Sequence, residues 1–241
     1  GWQDAISTLG YDKDQANNLL TFLSDVAHEE AIRYSNILRI PMPLLNTTVK
    51  PEGTLSQVAN GVSSGLHVSH AEYYIRRVRI NANDPLAKVA VDLDWNVQPE
   101  NGQTLEDART LVVSFPCHSP AKKTRAEQTI KEQFDTYFMF QEYYTAHNSS
   151  NTITVKDDEW NIAVDTVYER WNDFIGITFI PYDGGTYEQM PYEEITKEKY
   201  EEMKSKMKPF SIDLLKEVQE EDVEKDVENM TSCDAGICPI F

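Results

Sequence analysis

Cys233 and Cys238 stand near the end of the 241-residue chain with four residues between them. They follow a stretch, Lys216 to Glu228, that holds seven acidic residues, two lysines and only three valines. A thiolate attacks a disulfide through a mixed disulfide. A tethered dithiol can therefore enter a buried site, reduce a disulfide there and carry the oxidised pair out to an external reductant. The acidic stretch has too little apolar surface to fold and reads as a solvated linker. About 20 flexible residues have an r.m.s. span on the order of 25 Å, enough for that journey. The alternative on spacing alone is two incidental cysteines in a tail.

A second constellation is Thr47-Thr-Val-Lys-Pro-Glu-Gly-Thr-Leu-Ser56. A short strand ending at Lys50, a turn at Gly53, and Thr54 and Ser56 as caps of a helix beginning near Leu55 would leave backbone N–H groups free for an anion. Pro51, Glu52, Gly53, Thr54, Leu55 and Ser56 are thus candidate phosphate residues, provided that the Glu52 side chain turns away. The same letters also spell an ordinary turn followed by an N-cap. A glycine-bearing segment, Ala59 to His70, then runs into Arg76, Arg77 and Arg79. Three arginines within four positions either neutralise a phosphate or a cofactor's polar groups, or pair with surface carboxylates. His67 and His70 lack a third ligand nearby, and no metal site is expected from them.

Composition sets the company these residues keep. With 40% hydrophobic residues the chain can build a core, as one large α/β domain or two small ones. Its net charge of −18, from 40 acidic and 22 basic residues, argues against nucleic-acid and anionic-membrane partners, while leaving a phosphorylated small molecule open. No apolar run approaches the length of a membrane span and no signal peptide is recognisable, so the expected compartment is the cytoplasm. Residue 1 is not Met, and the chain reads as the back part of something longer.

The elements that must position these groups follow from periodicity. A helix is expected from Asp14 to about Ile37, with Leu19, Phe22, Leu23, Val26 and Ala27 inward, ending before Ile40-Pro41. Strands are expected at Leu45–Lys50, Lys88–Trp95, Thr110–Phe115, Asn151–Lys156 and Phe174–Ile180. One helix should run from Ala121 to about Ala146 with Ile130, Phe134, Tyr137 and Phe138 inward. Another, capped by Asp157 or Asp158, should bury Trp160, Val164, Val167, Tyr168 and Trp171 as core. Strand, helix and strand in that order make a parallel βαβ unit, and the fold class is α/β. A last surface helix is expected from Glu193 to about Met207.

Taken in order, Lys50-Pro-Glu-Gly-Thr-Leu-Ser56, Ser63-Ser-Gly-Leu-His67, Tyr73-Tyr-Ile-Arg-Arg-Val-Arg79, Phe115-Pro-Cys-His-Ser-Pro120, Val155-Lys-Asp-Asp-Glu-Trp160, Asp183-Gly-Gly-Thr-Tyr-Glu-Gln189 and the Cys233/Cys238 tail resemble the C-terminal third of the monomeric, adenosylcobalamin-dependent class II ribonucleotide reductases. The resemblance implies part of the ten-stranded α/β barrel of that family over residues 1–210, with an acidic linker and redox tail over 211–241. It implies thiyl-radical reduction of ribonucleoside triphosphates, in which a cysteine pair becomes a disulfide and the tail dithiol, Cys233 and Cys238, re-reduces it at the expense of a thioredoxin-like reductant. Pro51 to Ser56 match the substrate-phosphate loop, although the family commonly has Ser where Glu52 stands. Cobalamin contacts are implied around 67–128 and 187–226, which makes His67, Tyr73, Tyr74, Arg76, Arg77, Tyr187 and Glu188 candidate cofactor residues. Cys117 reads as a buried spectator. The finger-loop cysteine, the second active-site cysteine and the effector region lie upstream in the family, so an N-terminal part is an implied partner, without which the chain is expected to be inactive. Two other readings remain open: a non-catalytic phosphate-ligand domain with an inert tail, and an acidic interaction protein carrying relic motifs.

Overall fold

The computed structural model describes residues 1–59, 61–121, 123–182 and 187–219. In chain order the elements are α1 (Trp2–Leu9), α2 (Lys13–Leu38), α3 (Leu55–Val58), β1 (Tyr73–Asn81), α4 (Pro85–Asp92), β2 (Val97–Pro99), β3 (Thr110–His118), α5 (Ile130–Tyr143), β4 (Thr152–Val155), α6 (Trp160–Glu169), β5 (Thr178–Pro181), β6 (Tyr192–Glu194) and α7 (Lys197–Lys206). They fall into two compact units. The first comprises Gly1–Glu72 and His118–Thr186; the second comprises Tyr73–Cys117 and the chain from Tyr187 onward. No helix among the described residues is long and apolar enough to cross a membrane.

The first unit is organised by α5. Thr129 accepts from the Glu132 amide while Glu132 accepts from the Thr129 amide, a reciprocal capping box that fixes where the helix starts. Ile130, Phe134, Tyr137 and Phe138 are buried as expected, against Ile153 and Val155 of β4 and Ala163 of α6. Each large apolar side chain so enclosed contributes roughly 1.5–3 kcal/mol. β4 and β5 pair in parallel, Thr152 opposite Thr178 through Val155 opposite Pro181, which closes the expected βαβ unit. Val49 forms a parallel bridge with Ser149, so the chain at Val49 runs in the same direction as β4. A second apolar cluster joins Leu20 of α2, Leu66 and Phe140, with Trp2 edge-on to Phe140 at 4.9 Å.

The second unit holds a four-stranded sheet in the order β2-β3-β1-β6, with β2–β3 and β1–β6 antiparallel. Tyr73 of β1 packs against Tyr200 of α7 at 5.2 Å between ring centres.

Several expectations are corrected. Lys88–Trp95 is not a strand: Asp84 caps the Leu86 amide, Pro85 occupies the first turn, and Ala87, Ala90 and Leu93 bury at helical spacing. The Leu45–Lys50 strand shrinks to the single bridge at Val49. α5 begins at Ile130 rather than Ala121, β5 at Thr178 rather than Phe174, and β6 precedes the last helix. α6 is preceded by Glu159, not by a capping aspartate. The apolar stripes of two helices also face the other way. On α2, Ala16 and Leu20 are buried while Phe22 is 61% exposed; on α6, Ala163 is buried while Tyr168 and Trp171 are 85% and 70% exposed. Helical spacing identifies a stripe but not the partner that covers it. Residues 212–219 of the expected linker are helical.

Candidate functional site

In the first unit the chain leaves the Val49 bridge and turns through Pro51 to Ser56. The left-handed residue of this turn is Glu52 (φ 55°), not Gly53, where an added Cβ would meet nothing within 4 Å. Thr54 precedes α3 without a side-chain cap bond, and the amides of Gly53, Thr54 and Leu55 donate to no described group. Ser56 is buried, with its hydroxyl 3.4 Å from the Gly53 carbonyl and 3.2 Å from the Ser64 hydroxyl.

The Ser63–His67 segment buttresses this loop. Gly65 sits at φ 52° so close to the loop backbone that a Cβ there would lie 3.0 Å from the Lys50 carbonyl and 3.3 Å from that of Pro51. That approach excludes any larger residue. His67 is held at both ring nitrogens. The Thr152 amide donates to Nε2 at 3.2 Å, so Nδ1 carries the hydrogen and donates to the Ser64 carbonyl at 3.0 Å. Burial pushes its pKa below the ordinary histidine range; the two backbone bonds oppose this, and the charges of the N-terminal amine and Arg125 reinforce it. A neutral imidazole with both nitrogens engaged ties the loop buttress to the start of β4.

The far end of the parallel pair is built by residues the sequence reading passed over. Glu159 is buried and accepts from the Ile130 amide at 3.0 Å and the Lys156 amide at 3.2 Å, so one carboxylate holds both the N-terminus of α5 and the turn after β4. Gln133 clamps Thr154, accepting from its amide and donating to its carbonyl, both at 2.8 Å. Lys156 Nζ donates to the carbonyls of Ala126 and Gln128. Arg125 lies over the Tyr182 ring at 5.1 Å, and Lys156 Nζ lies 6.0 Å from the same ring. Glu159 and Lys156 belong to the Val155–Trp160 motif, which was a signal in the sequence; Arg125 offered none, being a single cation between a lysine pair and a helix.

In the second unit Tyr73, Tyr74, Arg76 and Arg77 lie on β1. The arginines sew the 189–193 segment to the strand. Arg76 donates to the Pro191 carbonyl at 3.2 Å and stacks over Tyr192 at 4.3 Å. Arg77 donates to Met190 at 3.0 Å and pairs with Glu193, and Arg79 pairs with Glu100 at 2.9 Å while reaching the Gln189 carbonyl. The Nε atoms of Arg76 and Arg77 are buried without a partner. Tyr74 is buried, whereas Tyr187 and Glu188 are exposed on the turn leading into this segment. Cys117 is half-buried rather than buried, and burial pushes its thiol pKa up. The candidate cofactor residues thus fall into two sets, His67 in the first unit and the rest in the second. Cys233, Cys238 and residues 183–186 lie outside the described residues.

No family model matches the chain. Over 216 residues it is 32% identical to the adenosylcobalamin-dependent ribonucleoside-triphosphate reductase of Lactobacillus acidophilus, covering 86% of this chain and 28% of that protein. The reductase of the same description from Lactobacillus leichmannii is 28% identical over 243 residues, 98% of this chain and 32% of that one. That of Euglena gracilis is 32% identical over 187 residues, 76% and 25% respectively. The crystal structure of a B12-dependent (class II) ribonucleotide reductase superposes with a TM-score of 0.76 at 27% identity, over 86% of this chain and 29% of that one. The chain therefore spans under a third of the length of the relatives it matches.

Proposed function

We propose that this chain, which is related over most of its length to part of the adenosylcobalamin-dependent ribonucleoside-triphosphate reductases, supplies one part of such an enzyme: a substrate-phosphate loop, a cofactor-side surface and a re-reducing dithiol. The observation that carries the reading is the joint match in sequence and fold, 32% identity over 86% of the chain and a TM-score of 0.76.

At Pro51 to Ser56 the unclaimed amides of Gly53, Thr54 and Leu55 suit a phosphate, and Gly65 and His67 keep the loop rigid enough to meet it. Adenosylcobalamin, when bound, supplies the radical that starts the reaction. The donor set of the second unit is compatible with that group. Its arginines are spent on carbonyls and carboxylates and leave no free cation for a phosphate. Two buried guanidinium Nε–H donors lack acceptors, and a macrocycle fringed with amide carbonyls offers them. Tyr187 and Glu188 would touch it from the turn that Arg76, Arg77 and Arg79 tie down. Cys233 and Cys238 would exchange into the disulfide left by each turnover, returning two thiols to the site and leaving as a disulfide that a thioredoxin-like protein reduces.

The test is reconstitution with the remaining length of a relative such as the Lactobacillus acidophilus enzyme. Expected is deoxyribonucleotide formation that requires adenosylcobalamin. With thioredoxin as the reductant it is lost in Cys233→Ser and Cys238→Ser variants, but a small dithiol restores it. An assembly that forms no product with either reductant overturns the proposal.

A further inference from the structure

The direction of three chain segments brings unassigned cations to the edge that carries the loop. Val49 runs parallel to the segment before β4, and β4 runs parallel to β5. The loop at Pro51–Ser56, the turn at Lys156 and the chain at Tyr182 therefore all leave the carboxyl ends of parallel segments, the edge at which open α/β sheets bind ligands. Arg125 and Lys156 share the Tyr182 ring there, and neither forms an ion pair with a described carboxylate. This sets Arg125 apart from Arg33, Arg77, Arg79 and Arg170, each of which is paired with one. No guanidinium N–H of Arg125 donates to a described group, and Lys156 keeps one ammonium proton beyond the two spent on carbonyls.

Charge makes this pair matter. A chain of net charge −18, with Asp157 and Asp158 exposed beside Lys156, repels a polyphosphate at long range. Affinity must come from donors in direct contact. Backbone amides and Lys50 can meet one phosphate, but a triphosphate brings three or four negative charges, and an arginine fork is the group that matches a phosphate oxygen pair. Arg125 also lies close enough to the loop buttress for its charge to act on His67.

We propose that Arg125, with Lys156 beside it on the Tyr182 ring, holds the distal phosphates of a nucleoside triphosphate whose nearer phosphate meets the Pro51–Ser56 loop, and so selects triphosphates over shorter phosphates. This rests on the phosphate-loop reading above and adds to it the residues that count phosphates.

Equilibrium binding to the 241-residue chain tests it, with a nucleoside triphosphate, the corresponding monophosphate and inorganic triphosphate as probes. Each variant is checked for unchanged thermal unfolding. Arg125→Ala is expected to weaken triphosphate and inorganic triphosphate binding by about tenfold or more, the scale of one charge-assisted fork, and to leave monophosphate binding within about twofold. Lys156→Met should show a smaller loss with the same pattern, and Arg125→Lys a partial recovery. Gly53→Val should weaken all three probes alike. If Gly53→Val weakens binding while Arg125→Ala and Lys156→Met leave triphosphate affinity unchanged, the distal-phosphate assignment is wrong and the loop reading survives. If the unaltered chain binds none of the probes, both fall.

Discussion

The arginines of β1 and the arginine ahead of α5 end in opposite states. Arg76, Arg77 and Arg79 sit three in four positions on one strand, and each is consumed by the segment at Gln189–Glu193 or by Glu100. Arg125 stands alone and makes no ion pair, resting on an aromatic ring at the edge where the candidate phosphate loop opens. Crowded cations on a strand repel one another, and the fold answers by supplying each with an acceptor. A lone cation is free to wait for a ligand. The contrast separates residues that hold the structure from residues left to meet something outside it.

The largest effect should come from Gly65→Val, which places a β-branched residue at positive φ with its Cβ 3.0 Å from the Lys50 carbonyl. A loss of about 3 kcal/mol in denaturant unfolding, with loss of phosphate binding, is expected. A silent substitution would show that the buttress does not hold the loop. Next is Glu159→Ala, which strands the Ile130 and Lys156 amides inside the protein and should cost about 2–3 kcal/mol. Arg77→Met breaks the pair with Glu193, a carboxylate still partly in water, and the bond to Met190. About 1–2 kcal/mol is expected, with phosphate binding untouched. If it weakened phosphate binding instead, the division between the two sets of arginines would collapse.

A smaller effect is a pH dependence. The folded pKa of His67 lies below its ordinary value of about 6.5, so in the window under 6.5 the unfolded chain binds more protons than the folded one. Stability from this residue is complete above pH 6.5 and falls as the pH drops through that window. His67→Gln should flatten the acid side of a Tm-against-pH profile; a profile that keeps its slope below pH 6.5 would remove His67 as the cause. The smallest effect is Arg125→Ala on stability, within about 0.5 kcal/mol because the side chain forms no hydrogen bond or ion pair.

Much of the first unit was legible in advance. The inward residues of α5, the β4 segment and the parallel βαβ order follow from periodicity, because α5 is buried on one broad face. The motif at Pro51–Ser56 marked a real turn, yet the left-handed residue proved to be Glu52, since the close approach is made by Gly65 from another segment. Lys88–Trp95 deceived because its alternation matches a strand as well as a short helix, and the deciding signal was Asp84-Pro85 just before it.

The sequence alone determined what its local chemistry could enforce: the capped starts of α2 and α5, the apolar run of β3, and the ordered motifs that carry the family resemblance. Only the tertiary structure decided which stripe of α2 and α6 faces inward, which arginines are spent, and that one buried carboxylate would hold both α5 and the turn after β4. Those outcomes depend on partners far away in the chain. Arg77 meets Met190 and Glu193 across 113 and 116 positions, and no pattern within a helical turn or a strand repeat carries information about a contact at that distance.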